Sequence, residues 1–252
     1  MNAAPPSPGV SEDALLDGRV RLLQPVDGYR VAIDPVLLAA AVPAAAGDTV
    51  LDVGCGVGAA ALCLATRVAG IRVTAIDSDA ALIRLAVENI GLNELSDRVQ
   101  AMSGDLLRPP PRLEPGSFAH VMANPPFLLS DRVTAPAHPG KKSAHLEGAA
   151  DLAAWVRFAF VMLRAKGGFT LIHRADRLDA VLAQLSAQAG EITVFPLWSG
   201  PGKPAKRVIV RARKGVATPM RLLAGLVLHD ADGRYSDAAD AVLRRGGALP
   251  LD

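Results

Sequence analysis

Asn124-Pro125-Pro126-Phe127 is the segment with the most specific chemistry in this sequence. Two consecutive prolines donate no hydrogen bonds and stiffen the turn, which leaves backbone carbonyls free to accept. An amine conjugated to an aromatic ring is a poor nucleophile because its lone pair is delocalised. If the Asn124 side-chain oxygen and the Pro125 carbonyl each accept one N–H, the nitrogen becomes more tetrahedral and its lone pair can aim at an electrophile. Phe127 can stack on the ring face and hold the in-line approach. No strong base is required, since the nitrogen turns acidic once alkylated and loses its proton to water. Asn-Pro also makes ordinary turns, so the rest of the chain must say whether this one does chemistry.

A second element precedes it. VLDVGCGVG, residues 50–58, places Gly54, Gly56 and Gly58 after a run of strand type. A strand that turns sharply into a helix needs residues without a Cβ there, so that backbone can approach a ligand and helix-start amides are exposed. Asp77 follows Gly58 by 19 residues, at the end of the next strand, where an acid can accept two hydrogen bonds from ribose hydroxyls. Together they indicate a cofactor containing adenosine. The spacing is G-x-G-x-G after Asp52, not the G-x-G-x-x-G of dinucleotide enzymes. S-adenosylmethionine has no pyrophosphate to cradle, and an acid such as Asp52 can meet its ammonium. Cys55 and Ser78 lie inside these two segments. Asp105, in Ser103-Gly104-Asp105-Leu106, is placed to meet the adenine amino group with Leu106 beside the ring.

The elements that must position these residues alternate in type. The pattern predicts strands over 49–53, 71–76, 99–102, 117–123, 168–173, 192–198 and 207–213, with helices over 58–69, 79–91, 150–164 and 176–189. Strands without period-two polarity, alternating with helices, form a parallel sheet covered on both faces. The last two strands follow each other without a helix and should pair as an antiparallel edge hairpin. Ahead of the glycine turn, residues 18–31 suggest two short strands around Pro25-Val26-Asp27-Gly28. Asp34-Pro35 suggests an N-cap and first helical position, opening a helix to about Ala45. A last helix is expected within 235–245. The expected organisation is a Pro-rich disordered stretch over 1–12, then one domain over 13–252: hairpin and helix lid 13–48, catalytic core 49–214, and a C-terminal extension 215–252.

Bulk properties restrict the rest. With 252 residues, half of them hydrophobic, the chain can bury one α/β core. The net charge is only +2, so any nucleic-acid footprint must be local. Cys55 and Cys63 are too few for a disulfide framework and suit small buried thiols in a reducing compartment. The N-terminus has no basic stretch followed by an apolar one, and no apolar run is long enough to span a bilayer. A cytoplasmic protein without a membrane anchor is expected. His120, His138, His145, His173 and His229 are scattered and predict no metal site; most should lie at the surface or at strand ends. Trp155 and Trp198 are expected in the core. The oligomeric state is not legible in the sequence.

The pair VLDVGCGVG and NPPF resembles class I methyltransferases acting on amino groups, over residues 49–175 at least. DGYRVAIDPVLLAA, LRAKGG, PLWSGPGKPAKRVIVRARKG and LVLHDADGRYS extend the resemblance to bacterial tRNA N6-adenine methyltransferases, which modify the adenine beside the anticodon of a valine tRNA. The resemblance implies a Rossmann-like fold with a seven-stranded, mostly parallel sheet, S-adenosylmethionine as cofactor and tRNA as partner. It also implies that the segment before the glycine turn closes over the cofactor, with Tyr29, Arg30 and Asp34 lining the site. The sequence departs from the family in following NPPF with LLSD. NPP-[FY] is shared with release-factor glutamine methyltransferases and with ribosomal RNA guanine-N2 methyltransferases, and both stay open as alternatives. The glutamine enzymes usually carry a larger helical domain before the glycine turn, whereas 48 residues precede Thr49 here. A nicotinamide dehydrogenase is disfavoured by the glycine spacing. A cofactor-binding module without catalysis is disfavoured by intact Asn124 and Phe127.

Basic residues cluster in two places. Arg132, Lys141 and Lys142 follow Phe127 in a Pro- and Gly-containing loop, and Lys203, Lys206 and Arg207 open the last hairpin. These are the expected tRNA phosphate contacts. Alternating Arg along the last strand can also be a solvated edge that resists aggregation.

Overall fold

The computed structural model describes residues 9–27, 30–126 and 150–251. Tyr29, Phe127, Arg132, Lys141 and Lys142 lie outside them.

A hairpin, β1 (Val10–Leu15) and β2 (Val20–Pro25), precedes α1 (Asp34–Ala41). The alternating core follows as β3 (Thr49–Val53), α2 (Ala59–Arg67), β4 (Arg72–Asp77), α3 (Ala80–Leu92), β5 (Val99–Ser103) and β6 (Phe118–Ala123). It continues with α4 (Leu152–Met162), β7 (Leu163–Arg174), a 3-10 turn (Ala175–Arg177), α5 (Leu178–Leu185), β8 (Ala189–Trp198) and β9 (Ala205–Lys214). Two short strands, β10 (Arg221–Leu222) and β11 (Leu226–Val227), and α6 (Asp237–Leu243) complete the described chain.

The main sheet runs β10-β8-β9-β7-β6-β3-β4-β5, with β11 also on β8. Only β9 is antiparallel to its neighbours. The expected hairpin of β8 and β9 is there, but β9 inserts between β7 and β8, so β8 lies outside it. β10 and β11 then pair with the outer side of β8, which leaves less open edge. The crossing between β3 and β6 puts their carboxyl ends side by side, the usual ligand position in such sheets.

Apolar strands make sense because both faces are covered. Leu37, Leu62, Ile71 and Phe195 belong to a core under α1 and α2, whereas Trp155, Phe158, Phe169 and Leu185 belong to one under α4 and α5. Basic side chains finish several helices by binding their last carbonyls, where the helix dipole favours positive charge. Arg67 reaches Ala39 and Val42 at the end of α1, Arg98 reaches Ala65 and Val68 at the end of α2, and Lys214 reaches Phe160 and Leu163 at the end of α4.

The N-terminal segment differs from expectation. Its turn is Leu16–Arg19, with Gly18 at φ 84°, and not Pro25–Gly28. The first strand begins at Val10, ahead of the residue-12 boundary. Its sequence, VSEDAL, is polar because charge pairing holds it: Arg21 bonds Glu12 at 2.6 Å and Arg30 bonds Asp13 at 2.5 Å. Helix α1 stops at Ala41 and not at Ala45, since Pro43 cannot continue the ladder. Its N-cap is Ile33, one residue earlier than expected. Helix α4 stops at Met162 because β7 starts immediately after it. His173 lies at the end of β7, as expected, and is buried there because both faces of that strand are covered.

Candidate active site

A cleft of about 1080 Å³ opens along the carboxyl ends of β3, β4, β5, β6 and β7. The glycine turn forms its floor. Gly54 and Gly56 have φ of 68° and 56°, values that favour glycine. A Cβ on Gly54 would lie 2.4 Å from the Trp155 ring. Trp155 is therefore both a core residue and a wall of the cleft, and only glycine lets the turn pass it.

Asp77 holds the turn in shape. Its Oδ2 accepts the Gly56 N–H at 2.8 Å, and its Oδ1 accepts the Asp79 N–H at 2.9 Å. A carboxylate offers about four acceptor positions, and the backbone amides of Gly56, Ser78 and Asp79 do not fill them all. Burial raises the Asp77 carboxyl above the ordinary range, against the hydrogen bonds from Asp79 and Gly56. Asp79 caps α3 through Ala81 and Leu82.

Asp52 sits deeper. It is 2% exposed, and its Oδ2 has no hydrogen-bond partner among the described residues. Burial, opposed by the Ala61 amide and reinforced by the Asp77 charge, pushes its carboxyl up to about 7. The Cys55 thiol is raised as well, first by burial and then by the two acids.

At the other wall, Gly104, Asp105 and Leu106 follow β5. The Asp105 Oδ1 accepts the Leu107 N–H at 2.8 Å, which fixes the turn. Next, Asn124, Pro125 and Pro126 leave the end of β6. The Asn124 Oδ1 is buried and has no hydrogen-bond partner among the described residues.

Thus Asp34, Asp52, Gly54, Cys55, Gly56, Asp77, Ser78, Gly104, Asp105, Leu106, Asn124, Pro125 and Pro126 all line one cleft. Two expected residues do not. Gly58 serves as the N-cap of α2 with φ 87°. Arg30 turns away, its guanidinium held by Asp13 and Ser11 of β1. Lys206 and Arg207 line the cleft mouth, and Asp34 meets Arg207 at 3.0 Å. The mouth also includes Arg174 and Asp176, which pair with each other. Sequence reasoning missed this pair: it follows β7, and only the register Arg174↔Arg207 brings it beside β9. Trp198 is only partly buried and is not a member of the core, contrary to expectation. Among the described residues no group of three His, Cys, Asp or Glu is placed to hold a metal. No helix among them is long and apolar enough to cross a membrane.

Strand order, glycine turn and terminal acids define the class: the fold is that of an S-adenosylmethionine-dependent methyltransferase of class I. A predicted O-methyltransferase from Agrobacterium tumefaciens shares it, with a TM-score of 0.72 at 22% identity over 86% of this chain and 98% of that one. The methyltransferase small domain family matches residues 30–138. A tRNA1(Val) (adenine(37)-N6)-methyltransferase of Porphyromonas gingivalis is 30% identical over 82% of this chain and 84% of its own. The protein of the same name from Dickeya chrysanthemi is 27% identical over 85% and 86%. The chain belongs to the tRNA1(Val) adenine-N6-methyltransferase family.

Proposed function

We propose that this chain methylates the exocyclic N6 of an adenine in tRNA, using S-adenosylmethionine. The observation that carries this reading is the buried Oδ1 of Asn124, without a partner among the described residues, an acceptor directly before two prolines in the same cleft as the glycine turn. A buried acceptor left unmade costs about 1–3 kcal/mol, so an N–H from a ligand is its natural complement.

The residues present fit the cofactor. Four carboxylates, Asp52, Asp77, Asp79 and Asp105, line one end of the cleft, and the cofactor brings an ammonium and a sulfonium. Asp52 has an oxygen without a partner among the described residues, where that ammonium would give it a counter-charge. Asp77 retains acceptor positions for a ribose diol, and Asp105 with Leu106 would frame the adenine. When bound, the cofactor supplies an electrophilic methyl group. Asn124 and the Pro125 carbonyl hold the target amine through its N–H bonds and turn its lone pair inward. Phe127 is proposed to stack on the base, and Tyr29 to cover the cofactor; both lie outside the described residues. At the mouth, Lys206 and Arg207 are proposed phosphate contacts, along with Lys203 and with Arg132, Lys141 and Lys142 of the undescribed loop. Free Cys55 and Cys63 support a reducing, cytoplasmic setting.

The test is mass transfer. Purified protein, cofactor with a deuterated methyl group and tRNA from a strain lacking the gene are incubated, and the RNA is digested to nucleosides. Labelled N6-methyladenosine is the expected product. No labelled nucleoside from tRNA, with label appearing instead in N2-methylguanosine when ribosomal RNA is the substrate or in glutamine when a release factor is, would replace this reading by one of its alternatives.

A further inference from the structure

The chain has only two tryptophans, and each lines a concavity. Trp155 walls the cleft. Trp198 lines a separate groove of about 510 Å³ with Gly200, Gly202, Lys203, Pro204 and Val227. The two meet along the chain: Pro204 lines the groove, and the next residue, Ala205, lines the cleft beside Lys206.

The groove is held open by backbone contacts. Trp198 Nε1 donates to the Ala224 carbonyl at 2.9 Å, and the Trp198 carbonyl accepts the Leu228 N–H at 2.8 Å. Val227 of β11 pairs with Trp198 in register. The facing wall is a turn closed by the Lys203 N–H on the Gly200 carbonyl at 3.2 Å, with Gly202 at φ 67°. A partly buried indole is thus fixed before any ligand arrives, which lowers the ordering cost of binding. Lys203 and Lys206 are exposed, and neither ammonium meets a carboxylate among the described residues. An indole beside Lys203, with Lys206 at the adjoining cleft mouth, fits an unpaired nucleobase and its phosphodiester: every base has a stacking face, and phosphate takes the charge.

We infer that this groove receives the base of a nucleotide one or two positions from the methylated adenine, with Lys203 and Lys206 on the intervening phosphates. The inference rests on the reading above that the substrate is RNA. It places the flanking base outside the catalytic cleft, so the target base enters alone.

The experiment uses a loop oligoribonucleotide containing the target adenine and 4-thiouridine one, two or four positions away. The wild-type complex is irradiated and digested, and crosslinked peptides are identified by mass spectrometry. Methylation of the same oligonucleotide is measured in parallel. The expected crosslink joins the nearer probes to the peptide spanning residues 198–204. Methylation with crosslinks confined to other segments overturns the groove assignment alone. Absence of methylation on any RNA overturns the substrate reading and the groove with it. The exposed substitution Lys203→Glu gives an independent readout: KM for the oligonucleotide rises about tenfold or more, while cofactor affinity, read by calorimetry without RNA, stays at the wild-type value. An unchanged KM also overturns the assignment.

Discussion

Gly54 and Trp155 occupy each other's space: a single Cβ on the glycine would sit 2.4 Å from the indole. The turn that faces the cleft and the helix that covers the sheet are thereby one packing unit. Gly54→Ala should lower stability by about 1–3 kcal/mol through overpacking and left-handed strain. It should weaken cofactor binding at the same time. Thermal unfolding and calorimetry on the same sample check both effects; an unchanged melting temperature would contradict the packing described.

Asn124→Ala should retain cofactor affinity and lose methyl transfer. In the proposed mechanism the lost acceptor acts on the target amine as the transition state forms, and removing one such polar contact typically costs about 10²–10³ in kcat. Single-turnover rates beside cofactor titrations separate the two effects. A wild-type rate would remove Asn124 from the mechanism.

Asp52 makes stability depend on pH. Its carboxyl lies at about 7 in the fold, against an ordinary value of 3.8, so between these values the folded state holds the proton more tightly than the unfolded chain. Stability should therefore fall as pH rises from about 4 to 7, by a few kcal/mol in order of magnitude. Melting temperatures of the cofactor-free protein across that window should show the slope, and Asp52→Asn should flatten it. Adding cofactor should also flatten it, as a cation beside Asp52 favours the ionised form.

Asn89 and Asn93 clamp the N-terminal hairpin to α3. The Asn89 amide bonds both the N–H and the carbonyl of Leu23, at 2.7 and 2.9 Å, and also the Val57 carbonyl behind the glycine turn. Asn93 does the same for Arg21. Asn89→Ala should cost at least about 2 kcal/mol, given several backbone groups left without partners. Amide exchange in residues 10–25 should rise more than in β3 or β4.

Lys206→Ala should weaken tRNA binding evenly across sequences and reduce the salt slope of log K by about one. Filter binding at several salt concentrations tests this. A drop confined to one tRNA species would indicate base reading in place of phosphate contact.

Much of the cleft lining is legible in the sequence because it is local. A strand that turns at Gly54 and Gly56, an acid ending the next strand, and Asn124 before two prolines are short-range patterns with short-range causes: positive φ, an exposed helix start, missing backbone donors. The alternation of apolar strands and helices likewise forces a covered, mostly parallel sheet. By contrast, VSEDAL does not look like a strand by itself; it becomes one because Arg21 and Arg30 neutralise its acids and Asn89 and Asn93 hold its partner. The cleft mouth was equally hidden. Asp34 meets Arg207 across 173 residues of sequence, and Arg207 reaches the rim beside Arg174 only because β9 inserts next to β7. Sequence determined the turns and their chemistry, since these depend on neighbouring residues. Tertiary structure decided which side chains share the cleft, since charge pairs and strand insertion depend on elements that meet only after the sheet has formed.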